Sequence, residues 1–196
     1  TSTIAPATVR AMAAEVAARG ASLLDTPVSG SVALVNSGQL TVLAGGDAAA
    51  LEQARPALSS FAARIVHLGG QGAGATMKLV VNSVIHGLNQ ALAEALVLAE
   101  KAGVDRAAAY DVFTNSAVSA PFVQYKRQSY VEPDAAPVAF ALDLVAKDLR
   151  LIAELADSVG ARMPQLAANR AAVAEAVEHG LGGKDMSALA QLLRSA

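Results

Sequence analysis

Hydrophobic and polar positions along this chain fall into two regimes. Over the first 70 residues, short apolar runs alternate with longer amphipathic ones. Pro6, followed by Ala, Val and Met at helical spacing and closed by Gly20, predicts a helix with proline near its start and glycine past its end. Runs at Ala21–Leu24, Leu40–Ala44 and Arg64–Leu68 are short, rich in branched residues and bounded by glycine. They predict three strands, with a helix from Asp47 to Phe61 between the last two. Beyond Gly74, apolar residues recur at helical spacing nearly to Ala196, broken at Gly103, Pro121, the VEPDAAP segment, Gly160 and Gly180–Gly183. An α/β first part and an all-helical second part follow. Because no Ser-rich or charged linker marks the boundary near Gly70, the long helix after it is expected to pack against both.

That helix holds the most informative pattern. From Ala75 to Ala102 it is apolar around most of its circumference, which predicts burial on nearly all sides. Its polar residues then need partners. At ~100° per residue, Lys78, Asn82, His86 and Asn89 fall within a sector of about 80°, forming one polar stripe. A buried ammonium is costly unless paired, and burial lowers its pKa towards the range of neutral proton exchange. Lys78 is thus a candidate acid/base, with Asn82, one turn on, able to hold a substrate hydroxyl or steady the lysine. The same spacing fits a Lys78 that reaches solvent from the first turn and an Asn82 bonded to a neighbouring helix, and on spacing alone that is the commoner arrangement.

Two segments precede the stripe. In GGQGAGATMK, Gly72 and Gly74 make a G-x-G after the strand RIVHL, but the third glycine of a dinucleotide fingerprint is missing and no acidic strand end follows ~20 residues later. These glycines are read instead as sites of close backbone approach. In DTPVSGSVALVNSGQLTVLAGG, Ser29, Gly30 and Ser31 end a strand in a turn whose N–H groups and hydroxyls suit a carboxylate, although most such turns bind nothing.

Composition narrows the chemistry. Hydrophobic residues are 54% of the chain but aromatics only 4%, which suits closely packed helices of Ala, Val and Leu. Fifteen Lys and Arg against 17 Asp and Glu leave no basic field for nucleic acid. With no cysteine there is no disulfide framework, thiolate nucleophile or cysteine-ligated zinc, which fits a reducing cytoplasm. His67, His86 and His179 are too dispersed for a helical metal pair, so no metal is expected. The uncharged run Leu79–Ala93 falls short of the ~20 apolar residues of a membrane span, and no secretion signal is visible. No G-x-S-x-G elbow surrounds Ser29 or Ser31. The aromatic residues Tyr110, Phe113, Phe122, Tyr125 and Phe140 read as core or interface, with Phe122 and Phe140 candidates for a pocket lining.

Four segments taken together resemble the β-hydroxyacid dehydrogenase family, which includes 3-hydroxyisobutyrate dehydrogenase and tartronate semialdehyde reductase. TSTIAP, at residues 1–6, resembles the family's segment beside the nicotinamide, and DTPVSGSVALVNSGQLTVLAGG its substrate-binding signature. GAGATMKLVVNS, from Gly72 to Ser83, resembles its catalytic segment, and AKDLRL, from Ala146 to Leu151, the Lys-Asp pair of its helical domain. The order and spacing hold from the first residue nearly to the last. The resemblance implies that Lys78 handles the proton while hydride passes to or from the nicotinamide of NAD or NADP, with Asn82 supporting. It also implies that Ser29, Gly30 and Ser31 hold a substrate carboxylate and that Thr3 and Lys147 contact the cofactor.

The implied fold is mainly α. Residues 1–70 would be the C-terminal remnant of a Rossmann-type NAD(P)-binding domain, and residues 71–196 a 6-phosphogluconate-dehydrogenase-like helical domain for substrate and dimerisation, including the long interdomain helix. The family's G-x-G-x-x-G turn is absent from these 196 residues, and residue 1 is Thr rather than Met. A truncated chain, inactive alone and with an open sheet edge, is one expectation. Ser31 stands where the family usually has glycine, which puts substrate choice in doubt. The implied activity interconverts a small β-hydroxyacid and its semialdehyde or keto partner, in a homodimer or homotetramer. Two alternatives are a non-catalytic helical dimerisation module and an imine-reductase-like enzyme. Lys78 favours the hydroxyacid enzymes over the latter.

Overall fold

The computed structural model describes residues 1–30 and 32–195, and for residues 32 and 33 the backbone only. The architecture is mainly helical with one small sheet. The chain forms two compact units, Thr1–Asn82 with Leu151–Ala161, and Ser83–Arg150 with Arg162–Ala196.

In the first unit, α1 (Pro6–Ala17) starts with proline in its first turn, where no N–H is needed. Strands β1 (Val28–Ser29), β2 (Leu40–Ala44) and β3 (Ala62–His67) form a sheet in that order, with β1 antiparallel and β3 parallel to β2. The parallel pair needs a crossover, and α3 (Ala48–Ser59) supplies it. Asp47 caps α3, its carboxylate accepting from the Ala50 N–H at 2.8 Å. Leu40, Val42, Ala44, Leu51, Leu58 and Ala62 form one buried core cluster of this unit. A short helix, α2 (Val32–Asn36), lies between β1 and β2, and the sequence pattern assigns no element there.

The strand expected at Ala21–Leu24 is not there. Pairing starts at Asp25, bridged to Gly45, and continues as Val28 opposite Val42 and Ser29 opposite Thr41. Beyond Ala44 the chain turns away at Gly46, with φ of +131°. Ala21–Leu24 therefore has no facing strand to ladder with, and Leu24 instead lays its side chain on Gly46 and the sheet core. The apolar run reflects the packing of a partly buried Leu24, not strand pairing.

α4 (Ala73–Lys101) contributes its first turns, to Asn82, to the first unit and the remainder to the second. It is not buried on nearly all sides. Val80, Val84 and Leu98 are 45%, 66% and 71% exposed, whereas Asn82, His86, Asn89 and Gln90 are buried. The polar stripe is the inward face, because fixed hydrogen-bond partners await part of it there.

The second unit also holds α5 (Arg106–Thr114), α6 (Pro121–Val131), the first half of α7 (Leu142–Val159), α8 (Pro164–Ala176) and α9 (Leu189–Ser195). Asn89, 1% exposed, accepts from the Tyr130 hydroxyl at 2.9 Å and donates to the Met186 carbonyl at 2.9 Å, so the stripe locks α4 to α6 and to the turn before α9. Glu100, at the end of α4, accepts from Arg106 at 3.0 Å and from Arg194 at 2.7 Å. The Arg194 hydrogen bond, helped by Arg106, holds its carboxyl below the usual carboxylate range against the opposing effect of partial burial. No helix among the described residues is long and apolar enough to cross a membrane.

Candidate active site

The candidate site in the first unit is built around Asp25, which opens the DTPVSG segment. Asp25 is buried, and its two carboxylate oxygens accept the backbone N–H groups of Gly72 at 2.9 Å and Ala75 at 2.7 Å. These N–H groups belong to the start of α4 and have no partner within the helix. A carboxylate there also complements the positive end of the helix dipole. Its own backbone is fixed too, exchanging hydrogen bonds with Gly45 at 3.0 and 2.8 Å. One residue thus ties the end of β2, the strand leading to Ser29 and the helix carrying Lys78.

The glycines around it are there for space. A Cβ at Gly74 would fall on the carbonyl oxygens of Leu43 and Asp25, and one at Gly45 would fall on the Asp25 carboxylate and the Gly74 nitrogen. The close-approach reading of GGQGAGATMK is therefore the physical one. Gly74→Ala is expected to lower stability by about 1–3 kcal/mol, the usual cost of overpacking a filled site. A thermal melt of the variant that matches the native protein would count against this packing.

Lys78 lies one turn beyond Gly74 and is half-buried, and Asn82, one turn further, is buried. Ser29 ends β1 half-buried, opposite Thr41. Gly30 follows, exposed, with φ of +144°, and a Cβ there would meet the Leu40 side chain at 2.6 Å. Only glycine takes that conformation readily. Ser31 lies outside the described residues. Thr3, before α1, is half-buried. Thr3, Ser29, Gly30, Lys78 and Asn82 belong to the first unit and Lys147 to the second.

In the second unit, Lys147 sits on α7 with its ammonium 2.9 Å from the carboxylate of Asp148. The Lys147 side chain is 38% exposed and that of Asp148 is fully buried. His86, the third member of the α4 stripe, is buried with Nε2 3.5 Å from Asp148 and its ring 6.0 Å from that of Phe140. Phe122 is buried against Tyr125. Sequence reasoning did not single out Asp25, and it named Asp148 only within the Lys-Asp pair of AKDLRL, with no role of its own. The available signal for Asp25 was the glycine-rich helix start after Gly70, which has no capping side chain of its own and so needs an acceptor from elsewhere in the chain. For Asp148 it was an acid placed beside Lys147 among apolar residues.

The family model for the NAD-binding domain of NADP-dependent 3-hydroxyisobutyrate dehydrogenase matches residues 72–193. That for the NAD-binding domain of 6-phosphogluconate dehydrogenase matches residues 1–69. The chain belongs to the β-hydroxyacid dehydrogenase family. Members of this family are NAD(P)-dependent oxidoreductases. One relative is glyoxylate/succinic semialdehyde reductase 2 of Arabidopsis thaliana, 36% identical over 90% of this chain and 49% of the relative. Another is 3-sulfolactaldehyde reductase of Escherichia coli, 33% identical over 98% of this chain and 65% of the relative. The crystal structure of 3-hydroxyisobutyrate dehydrogenase from Salmonella typhimurium superposes with a TM-score of 0.90 at 31% identity, covering 98% of this chain and 67% of that one. The chain spans about half to two thirds of the length of these β-hydroxyacid dehydrogenases.

Proposed function

We propose that the protein is an NAD(P)-dependent oxidoreductase that interconverts a small β-hydroxyacid and its semialdehyde or keto partner. The observation that carries this reading is the double anchorage of Asp25, which pins the start of the Lys78 helix to the segment that leads into Ser29 and Gly30. An acid/base lysine and a carboxylate-binding turn are thereby held on one rigid support, as positioning for catalysis requires.

In this reading Lys78 passes a proton to or from the substrate hydroxyl oxygen, and Asn82 supports it from the next turn. The hydroxyl of Ser29 and the backbone N–H of Gly30, together with Ser31, hold the carboxylate, which fixes the reacting carbon. Two relatives are named for small anionic carbonyl compounds, which supports an anion at this turn. The nicotinamide, when bound, supplies or accepts the hydride. Each proposed contact suits such a group by itself: Thr3 offers a half-buried hydroxyl in the first unit, and Lys147 brings an ammonium to the surface of the second. Residues 1–70 serve as the C-terminal part of a Rossmann-type domain and residues 71–196 as the helical substrate and dimerisation domain. The exposed apolar side of α4, with Val84 and Leu98, supports a homodimer or homotetramer. The absence of cysteine is in keeping with the cytoplasm.

The test uses the full-length protein with NAD or NADP and a series of small 3-hydroxyacids, following reduced nicotinamide by absorbance. Turnover is expected with at least one acid and is expected to be lost with its methyl ester. Self-association without saturable binding of either dinucleotide would replace this reading with that of a dimerisation module.

A further inference from the structure

Lys147 is the one proposed cofactor contact in the second unit, and what sets its position is visible there. Its ammonium is held 2.9 Å from Asp148, a carboxylate whose side chain is wholly buried. Burying such a charge is expensive, so every group facing it matters. His86 faces it from α4, with Nε2 3.5 Å from the second carboxylate oxygen and a side chain 2% exposed. At that distance the contact is longer than a good hydrogen bond. Among the described residues neither ring nitrogen of His86 has a hydrogen-bond partner, and the Asp148 carboxylate is the charged group that its Nε2 faces. The ring is steadied by Phe140, 6.0 Å away.

We infer that His86 is a positioning residue for Lys147, acting through Asp148. This rests on the reading of Lys147 as a cofactor contact. The physical reason is competition for one carboxylate. With His86 turned to one oxygen, Asp148 holds Lys147 through the other and leaves the ammonium at the surface. Without the imidazole, the buried carboxylate is less compensated and draws the flexible lysine inward, away from an acceptor on the dinucleotide. His86 touches neither substrate nor cofactor in this account.

The test titrates NADH and NADPH into the full-length protein by fluorescence and compares His86→Met, His86→Gln, Lys147→Ala and the double variant His86→Met/Lys147→Ala. His86→Met is expected to raise the Kd of the preferred dinucleotide about three- to ten-fold, the scale of one net hydrogen bond. His86→Gln, which keeps a donor, is expected to restore most of that loss. In the Lys147→Ala background, His86→Met should have no further effect, because nothing remains to be positioned. An effect of His86→Met that persists undiminished beside Lys147→Ala, or no effect at all, overturns the inference while leaving the oxidoreductase reading intact. If Lys147→Ala itself leaves Kd unchanged, the assigned role of Lys147 falls and the inference falls with it. Should His86→Met fail to fold, the ring resonances of His86 in the native protein decide. They are expected to shift when dinucleotide is added and in Lys147→Ala, and their constancy in both would sink the idea.

Discussion

Replacing Lys78 with alanine in the full-length protein is expected to lower kcat by about 10²–10⁴-fold, the usual contribution of a positioned acid or base. The Kd for the dinucleotide should stay within about two-fold of native, because Lys78 is assigned to the substrate oxygen. Arginine at the same position should not restore turnover. It keeps the positive charge, but a guanidinium does not give up its proton in a protein. The comparison therefore separates proton transfer from simple attraction of an anion. An active Lys78→Arg would mean that charge alone suffices, and an active Lys78→Ala would remove the lysine from the mechanism. The helix should survive either change, since Asp25 anchors its start through backbone N–H groups that these substitutions leave in place.

The second large effect is on stability. Lys126 and Asp185 form a buried ion pair with both N–O distances at 2.7 Å. Asp185 also accepts the N–H groups of Ala139 at 3.0 Å, Phe140 at 3.2 Å and Ser187 at 3.1 Å, so one carboxylate gathers α6, the approach to α7 and the turn before α9. Asp185→Ala leaves a buried ammonium and these N–H groups uncompensated, and is expected to cost about 3–5 kcal/mol. At roughly 2–4 °C per kcal/mol for a chain of this size, the Tm should fall on the order of 10 °C. Replacing both partners, as Lys126→Met with Asp185→Leu, should recover only the part of the loss due to the unpaired ammonium, because the three backbone N–H groups still lack their acceptor.

The same pair sets a pH dependence. Burial alone pushes the Asp185 carboxyl up, but the Lys126 ammonium and the backbone N–H groups more than offset it and hold the carboxyl below its ordinary value of 3.8. A carboxyl depressed in the folded state contributes stability that is fully present above its unfolded value and is lost as pH falls through the folded one. Native protein should therefore lose this contribution progressively below about pH 4. The Asp185→Ala variant should show a shallower loss over that range, and parallel acid-unfolding curves would rule the pair out as its source.

Much of the local structure was legible because its causes are local. Pro6 and Gly20 bracket α1, Asp47 caps α3, and Gly103, Pro121 and Gly160 interrupt the helices of the second half where expected. That Lys78 and Asn82 share one helix face was legible for a similar reason, since residues four apart on a helix lie one above the other in any fold. What the pattern could not decide was which neighbour each face meets. An apolar run reads the same whether it pairs in a sheet or packs on a glycine, and Ala21–Leu24 does the latter because β2 ends before reaching it. An apolar helix reads the same whichever side is inward, and α4 turns its polar stripe in because Tyr130, Met186 and Asp148 stand opposite Asn89 and His86.

Asp25 was hidden for the deeper reason that the N–H groups it accepts lie 47 to 50 residues away, and the facing of Asp148 by His86 because the two are 62 positions (148 − 86) apart. By itself, then, the sequence determined the longer helices, their breaks and the residue types proposed for the chemistry, because propensity, capping and periodicity act over a few residues. Only the tertiary structure decided which buried carboxylates hold those residues in place, because desolvated charge is balanced by whatever the fold brings to it, however distant along the chain.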